Sequence, residues 1–105
     1  MSDYNLSTKR LEQFECDDRY EAEKLAGFLA IQKDDFTYLR GVANVIENEL
    51  VIILKDSSSH SVLLKDKSTA IRLRSLIEDI VEGIITIYGS SFENQRAEII
   101  TIVLD

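Results

Sequence analysis

The chain has 105 residues, of which 45% are hydrophobic, and its 19 acidic and 12 basic side chains give a net charge of −7. This length fits one domain spanning residues 1–105, and no stretch approaches the roughly 20 apolar residues that cross a bilayer, so no membrane contact is expected. The negative charge makes direct nucleic-acid binding unfavourable, because such binding needs a basic surface that displaces counterions.

The first predicted elements are a weak strand over residues 10–16 and a helix over residues 18–32. Apolar and polar side chains alternate in the first segment, although Leu11 breaks the pattern. In the second segment, the D-x-x-E arrangement of Asp18 and Glu21 is typical of a capping box at a helix start. An apolar stripe at helical spacing then follows, formed by Ala22, Leu25, Ala26 and Leu29.

Strand-forming residues dominate the middle of the chain. Residues 36–46 and 49–55 are rich in Val, Ile, Phe and Tyr, and they flank Glu47-Asn48, which predicts a β-hairpin with a tight turn. A further short strand is expected over residues 61–65, after a serine-rich segment.

A second helix is predicted over residues 67–88. Either Asp66 or Ser68 can cap its start. Apolar residues recur at helical spacing along it, and three of them are expected to face the sheet: Leu73, Ile77 and Ile80.

The end of this helix has two interpretations. In the first, Gly89 follows the last turn and Gly83 is an internal weak point of the helix. In the second, the β-branched run over residues 84–87 is a strand. Residues 97–104 are predicted to form the last strand, in the interior of the sheet.

The predicted order is therefore β-α-β-β-(β)-α-β. An antiparallel sheet with two helices on one face would bury the apolar stripes, which assigns the chain to the α+β class. The same order occurs in the ferredoxin-like arrangement, which is a possible topology. We detect no internal repeat and no linker in the sequence. The expected free energy of unfolding is about 5–10 kcal/mol, and formation of a homodimer would add to it.

Cys16 is the only cysteine and His60 the only histidine. A thiol can be activated by an imidazole, but carboxylates near Cys16 disfavour the thiolate, so we expect a structural cysteine and no catalytic residue. One His and one Cys are too few for a zinc site, and neither a metal nor a cofactor is expected. The lone cysteine and the polar start Met1-Ser2-Asp3, which does not resemble a signal peptide, favour a cytoplasmic location.

Carboxylates are concentrated between residues 12 and 23, where six acids accompany a single arginine. Helix chemistry explains the acids near the helix start, but it does not explain Glu12, Glu15 and Asp17. A protein partner with a basic surface would relieve the repulsion among these charges. The predicted partner-binding residues are Glu12, Glu15, Asp17, Asp18 and Glu21.

A serine-rich segment over residues 56–61 is followed by several basic residues. Hydroxyls, backbone N–H groups and cations can hold a phosphate or another anion, although the segment lacks the glycines of a Walker motif. The same composition is typical of a flexible polar connection. The candidate anion-binding residues are Ser58, Ser59, His60, Lys65, Lys67, Arg72 and Arg74.

These features favour a non-enzymatic protein-interaction module that acts as an adaptor, a regulator or an inhibitor. Small immunity proteins and phage anti-defence proteins that mask a basic surface have a similar size and charge. The alternative is a small regulatory domain that binds a phosphorylated or anionic small ligand at the serine-rich segment. A small enzyme is the least favoured of the three classes.

Overall fold

The computed structural model describes residues 10–34, 39–42 and 44–105. No helix in these ranges is both long enough and apolar enough to cross a lipid bilayer. The described elements, in chain order, are β1 (Arg10–Glu15), α1 (Arg19–Asp34), β2 (Leu39–Val42), β3 (Glu49–Leu54), β4 (Ser59–Leu63), α2 (Lys67–Val81), β5 (Ile87–Phe92) and β6 (Ile99–Leu104).

The predicted α+β class, with antiparallel strands and two helices, is confirmed. The strands form two three-stranded antiparallel sheets, with orders β1-β6-β5 and β2-β3-β4. The prediction of one sheet is therefore corrected, and the order of the strands differs from the ferredoxin-like arrangement. The difference arises because β5, of which the predicted helix covered the first two residues and which was not predicted as a strand beyond them, completes a second sheet with β1 and β6.

The end of α2 shows why the predicted helix over residues 67–88 was too long. Gly83 adopts a left-handed φ of 78° directly after the C-cap residue. Its N–H donates to the Ile80 carbonyl (3.1 Å), and Ile84 N–H donates to the Asp79 carbonyl (2.9 Å). This is the Schellman pattern that ends a helix, so Gly83, rather than Gly89, is the residue after the last turn.

Local signals place the start of each helix correctly. Asp18 Oδ1 accepts from Glu21 N–H (3.0 Å), and Asp66 Oδ1 accepts from Thr69 N–H (2.8 Å). These hydrogen bonds satisfy backbone donors in the first turn. The capping box is only half formed, because the Glu21 carboxylate hydrogen bonds to Leu63 N–H instead of returning to the helix start.

The same β-α-β-β order occurs twice, once from β1 to β3 and again from β4 to β6. A shift of 48 residues relates the two helix caps, Asp18 and Asp66, and also relates Gly41 and Gly89, which stand at equivalent register shifts of their hairpins. The expectation of no internal repeat is therefore wrong. Few side chains are identical between the halves, so burial pattern and geometry preserve the repeat more clearly than residue identity does.

The two halves are intertwined. Each sheet takes two strands from one half and the first strand of the other, because β1 pairs with β6 and β4 pairs with β3. Helix α1 packs against β4, β5 and β6, whereas α2 packs against β1, β2 and β3. The hydrophobic core of the described residues is therefore built between the halves, with Phe14, Leu25, Leu50, Ile52, Leu73, Ile77, Ile100 and Ile102 among its fully buried members.

Candidate functional site

The two halves meet where β1 and β4 end. Cys16 and Leu64 form an antiparallel bridge, Asp17 N–H donates to the Leu63 carbonyl (2.9 Å), and Lys65 N–H donates to the Glu15 carbonyl (3.0 Å). These two hydrogen bonds are equivalent under the repeat, and together with the bridge they hold the turns that lead into α1 and α2 side by side. The arrangement brings predicted partner-binding carboxylates close to some of the candidate anion-binding residues.

Four ion pairs lie around this junction, and one of them, between Glu15 and Arg96, connects it to the loop between β5 and β6. Glu12 contacts Arg72 (3.3 Å), and Glu15 contacts both Lys65 (3.6 Å) and Arg96 (2.6 Å). Arg96 also contacts Glu98 at 2.8 Å. Hydrogen bonds to Glu98 and Glu15 raise the pKa of Arg96 above its ordinary value. Since these side chains are between about a quarter and a half exposed, the pairs stand at the edge of solvent.

Arg72 has further contacts besides its ion pair with Glu12. One guanidinium nitrogen donates to the Gln13 carbonyl (2.8 Å), and the guanidinium carbon lies 4.3 Å from the centroid of the Phe14 ring. The stacked arginine thus lies across the edge of β1.

Two adjoining cavities border this ion-pair network, and together we call them the charged groove. The larger, of about 420 Å³, lies at the loop between β5 and β6 and is lined by Gln13, Glu93, Asn94, Gln95, Arg96 and Ile99. The smaller, of about 200 Å³, lies between β1 and α2 and is lined by Gln13, Glu15, Lys65, Thr69, Arg72 and Ile99. Two shared lining residues, Gln13 and Ile99, show that the cavities are neighbours.

The loop of the larger cavity distinguishes the second hairpin from the first. Gly41 lies opposite Ile53 in the first hairpin, whereas the equivalent Gly89 lies opposite Val103 in the second. The second connection is therefore two residues longer than the first. This longer loop supplies polar side chains to the groove.

Glu21, one of the predicted partner-binding residues, is buried and only 7% exposed. Its carboxylate accepts from Leu63 N–H (2.9 Å) and contacts Lys24 Nζ (2.9 Å), which also donates to the Ser61 carbonyl (2.7 Å). Glu21 therefore connects α1 to β4 within the chain. Asp18 caps α1, whereas Asp17 is exposed beside the end of β4.

Cys16 and His60 do not form a dyad. Cys16 is buried, and burial first, then the charges of Glu21, Asp18 and Glu15, raises the pKa of its thiol to about 12. His60 lies on β4, four residues before the bridge partner of Cys16, which corresponds to roughly 13 Å along a strand. Its ring packs on Phe28, with the ring centroids 5.6 Å apart.

The serine-rich segment is a turn that already holds a carboxylate. Asp56 Oδ1 accepts from Ser58 N–H (2.9 Å) and from the Ser58 hydroxyl (2.6 Å), and these hydrogen bonds lower the pKa of Asp56. Ser59 and His60 follow on β4. The length of β4 separates this turn from Lys65 and Lys67, so the predicted anion-binding residues do not form one site.

Arg74 does not line the charged groove. In the part of the chain that the structure describes, its side chain pairs with the carboxylate of Glu78, 3.9 Å away on the next turn of α2. Within residues 10–34, 39–42 and 44–105, no group of three His, Cys, Asp or Glu side chains is placed to hold a metal ion.

Sequence reasoning missed several groove residues: Gln13, Thr69, Glu93, Arg96 and Ile99. Aligning the halves would have drawn attention to one of them, because Thr69 is equivalent to Glu21 in a segment that otherwise conserves the cap and the apolar spacing. No protein-family model, curated protein or solved structure matches the chain.

Proposed function

We propose that this chain is a non-enzymatic protein-interaction module, an adaptor, regulator or inhibitor, that docks its partner on the charged groove. The observation that supports this proposal is the ion-pair network along the groove, in which three carboxylates and three cations lie at the edge of solvent. Partly exposed ion pairs contribute little to folding stability, so exchanging them for contacts with a partner would cost the fold little.

The acidic side of the groove gives the partner its chemistry. Glu12 and Glu15 lie on β1, and the exposed Asp17 follows them at the junction of the two halves. A partner that presents lysines or arginines to these residues would be attracted over a distance, and its association would be faster at low salt. The net charge of −7 adds to this attraction for a basic surface.

The alternative function, binding of an anionic small ligand, has less support at the serine-rich turn than at the groove. At the turn, the Asp56 carboxylate already accepts from the N–H and hydroxyl of Ser58. Cations with open space beside them occur instead at the small cavity, where Lys65 and Arg72 are lining residues.

The test begins with capture of the partner from cells of the native host, followed by measurement of association rates at two ionic strengths. A groove variant carries Glu12→Lys, Glu15→Lys and Asp17→Lys. A matched control carries Glu78→Lys, Asp79→Lys and Glu82→Lys near the end of α2, and it changes the net charge by the same amount at a different place.

We expect the groove variant to associate at least about tenfold more slowly than the wild type at low salt, with a smaller difference at high salt. The control is expected to change the rate less, because its charges lie six to ten residues beyond Arg72 on α2, about 9–15 Å along the helix axis. Equal slowing of the two variants would show that the association rate depends only on the overall charge, and it would contradict docking at the groove.

A further inference from the structure

One of the equivalent positions at which the two halves differ indicates a ligand site. In the first half, the Glu21 carboxylate lies between Leu63 N–H at the edge of β4 and the ammonium group of Lys24. Lys24 is itself fixed by the Ser61 carbonyl. A strand-edge N–H and a cation from the helix thus hold a buried carboxylate.

The second half repeats the cation and its support. Arg72 is equivalent to Lys24, and its donation to the Gln13 carbonyl (2.8 Å) reproduces the donation from Lys24 to the Ser61 carbonyl (2.7 Å). The residue equivalent to Glu21 is Thr69, whose short side chain bears no carboxylate. The small cavity of about 200 Å³ lies at this place.

The second half also repeats the strand-edge donor. Ile99, which lies opposite Glu15, directs its N–H to the Arg96 carbonyl and its carbonyl to Glu93 N–H. Glu15 and Ile99 are therefore a non-hydrogen-bonded pair, and the backbone N–H and carbonyl of Glu15 point away from β6. The carbonyl accepts from Lys65 N–H, so the N–H faces the side that Leu63 N–H faces in the first half.

We propose that the small cavity between β1 and α2 binds the carboxylate of a ligand, at the position that the Glu21 carboxylate occupies in the first half. Glu15 N–H and the Arg72 guanidinium are its donors, and Lys65 adds a second cation. This site goes beyond the proposed protein docking, because a free small carboxylate is sufficient to fill it.

The surrounding carboxylates set the strength of this binding. Glu12 already contacts Arg72, and Glu15 already contacts Lys65 and Arg96. The ligand therefore shares cations that are partly neutralised, and we expect weak binding of a simple carboxylate.

The test is a titration of the ¹⁵N-labelled full chain with sodium succinate, followed by amide and arginine-side-chain NMR signals. Sodium chloride at equal ionic strength is the reference. Saturable shifts are expected at Glu15 N–H, Thr69 N–H and the Arg72 Nε–H, with much smaller shifts at Leu63 N–H. Sodium phosphate should bind more weakly, and a stronger response to phosphate would overturn the assignment to a carboxylate.

The decisive variant is Thr69→Glu, which places a tethered carboxylate where the first half has Glu21. It should weaken succinate binding by at least about tenfold and raise the melting temperature by a few degrees. The control, Ser68→Glu, adds the same charge at the exposed neighbouring position and should keep the wild-type affinity within about threefold.

Absence of saturable shifts in the wild type, or equal succinate affinity of Thr69→Glu and the wild type, would overturn the proposal. Should Thr69→Glu fail to fold, Glu21→Thr provides the second test, because it opens the equivalent space in the first half. This variant should gain a succinate-dependent shift at Leu63 N–H, and a folded Glu21→Thr protein without that shift would also overturn the proposal. Neither result depends on a protein partner, so this proposal and the proposed function can fail separately.

Discussion

Cys16 shows how burial decides the chemistry of a single residue. Its side chain is only 1% exposed, and its thiol pKa is raised from the ordinary 9.0 to about 12 by burial and three nearby carboxylates. Above pH 9 the unfolded chain loses this proton while the folded chain keeps it. The contribution of the thiol to stability is therefore complete below pH 9 and is lost as the pH rises toward 12.

We predict that the free energy of unfolding of the wild type falls more steeply with pH than that of Cys16→Ala in this window. The extra slope is at most about 1.4 kcal/mol per pH unit. Urea denaturation of both proteins between pH 8 and pH 10.5 measures it, and parallel curves would show that the thiol is not held protonated by the fold. The folded protein should also react slowly with iodoacetamide, because the thiolate is the reactive form.

Only part of the residue-scale site could be predicted from the sequence. The Asp18 cap was predictable because its partner lies three residues away. The charges of Glu12 and Arg72 were recognised, but their pairing spans 60 residues and depends on α2 packing against β1. The side chains of Thr69 and Ile99 are of types that do not by themselves indicate a binding site. Only their position at the small cavity gives them a role.

Two glycines, one inside α1 and one at the end of α2, give substitutions with opposite expected effects on the free energy of unfolding. Gly83 has φ of 78°, which a residue with a Cβ adopts reluctantly, so Gly83→Ala should lower the free energy of unfolding by about 1 kcal/mol. Gly27 lies inside α1 with open space around it, so Gly27→Ala should raise that energy by about 0.5–1 kcal/mol. Chemical denaturation measures both variants. Stabilisation by Gly83→Ala would contradict the Schellman ending of α2.

The orientation of α2 is tested by two isoleucines of the same helix. Leu73, Ile77 and Ile80 are buried, which confirms the predicted core-facing side. Ile77 is 0% exposed, and Ile77→Ala should lower the free energy of unfolding by about 2–5 kcal/mol. Ile71 is 41% exposed, and Ile71→Ala should cost less than about 1 kcal/mol. A similar loss in both variants would be incompatible with this register.

Element types were more predictable than element ends. Hydrophobic periodicity in the sequence predicted both helices and most strands, because the apolar spacing of each element is local. The boundary between α2 and β5 was ambiguous, since either Gly83 or Gly89 is chemically suited to end a helix and β-branched residues lie between them. The pairing of β5 with β6 determines where the helix ends, and a local sequence pattern cannot predict that pairing.

The intertwined repeat is the property of the whole molecule that sequence reasoning missed entirely. The halves preserve caps, bulges and buried positions, but the side chains that fill those positions differ, as with Phe14 and Val62 or Cys16 and Leu64. Pairing of β1 with β6 and of β4 with β3 then places every sheet across both halves. This arrangement also explains why Glu21 and Thr69 occupy equivalent positions with different chemistry.

The most direct test of this account separates the halves at the turn between β3 and β4, as residues 1–56 and 57–105. Each half lacks the strand that completes its sheet and the strands on which its helix packs, so neither should be a folded monomer. The measurement is the ¹⁵N NMR spectrum of each half alone and of the equimolar mixture. We expect native signal dispersion to appear only on mixing, and a dispersed monomeric spectrum from either half alone would contradict the intertwined fold.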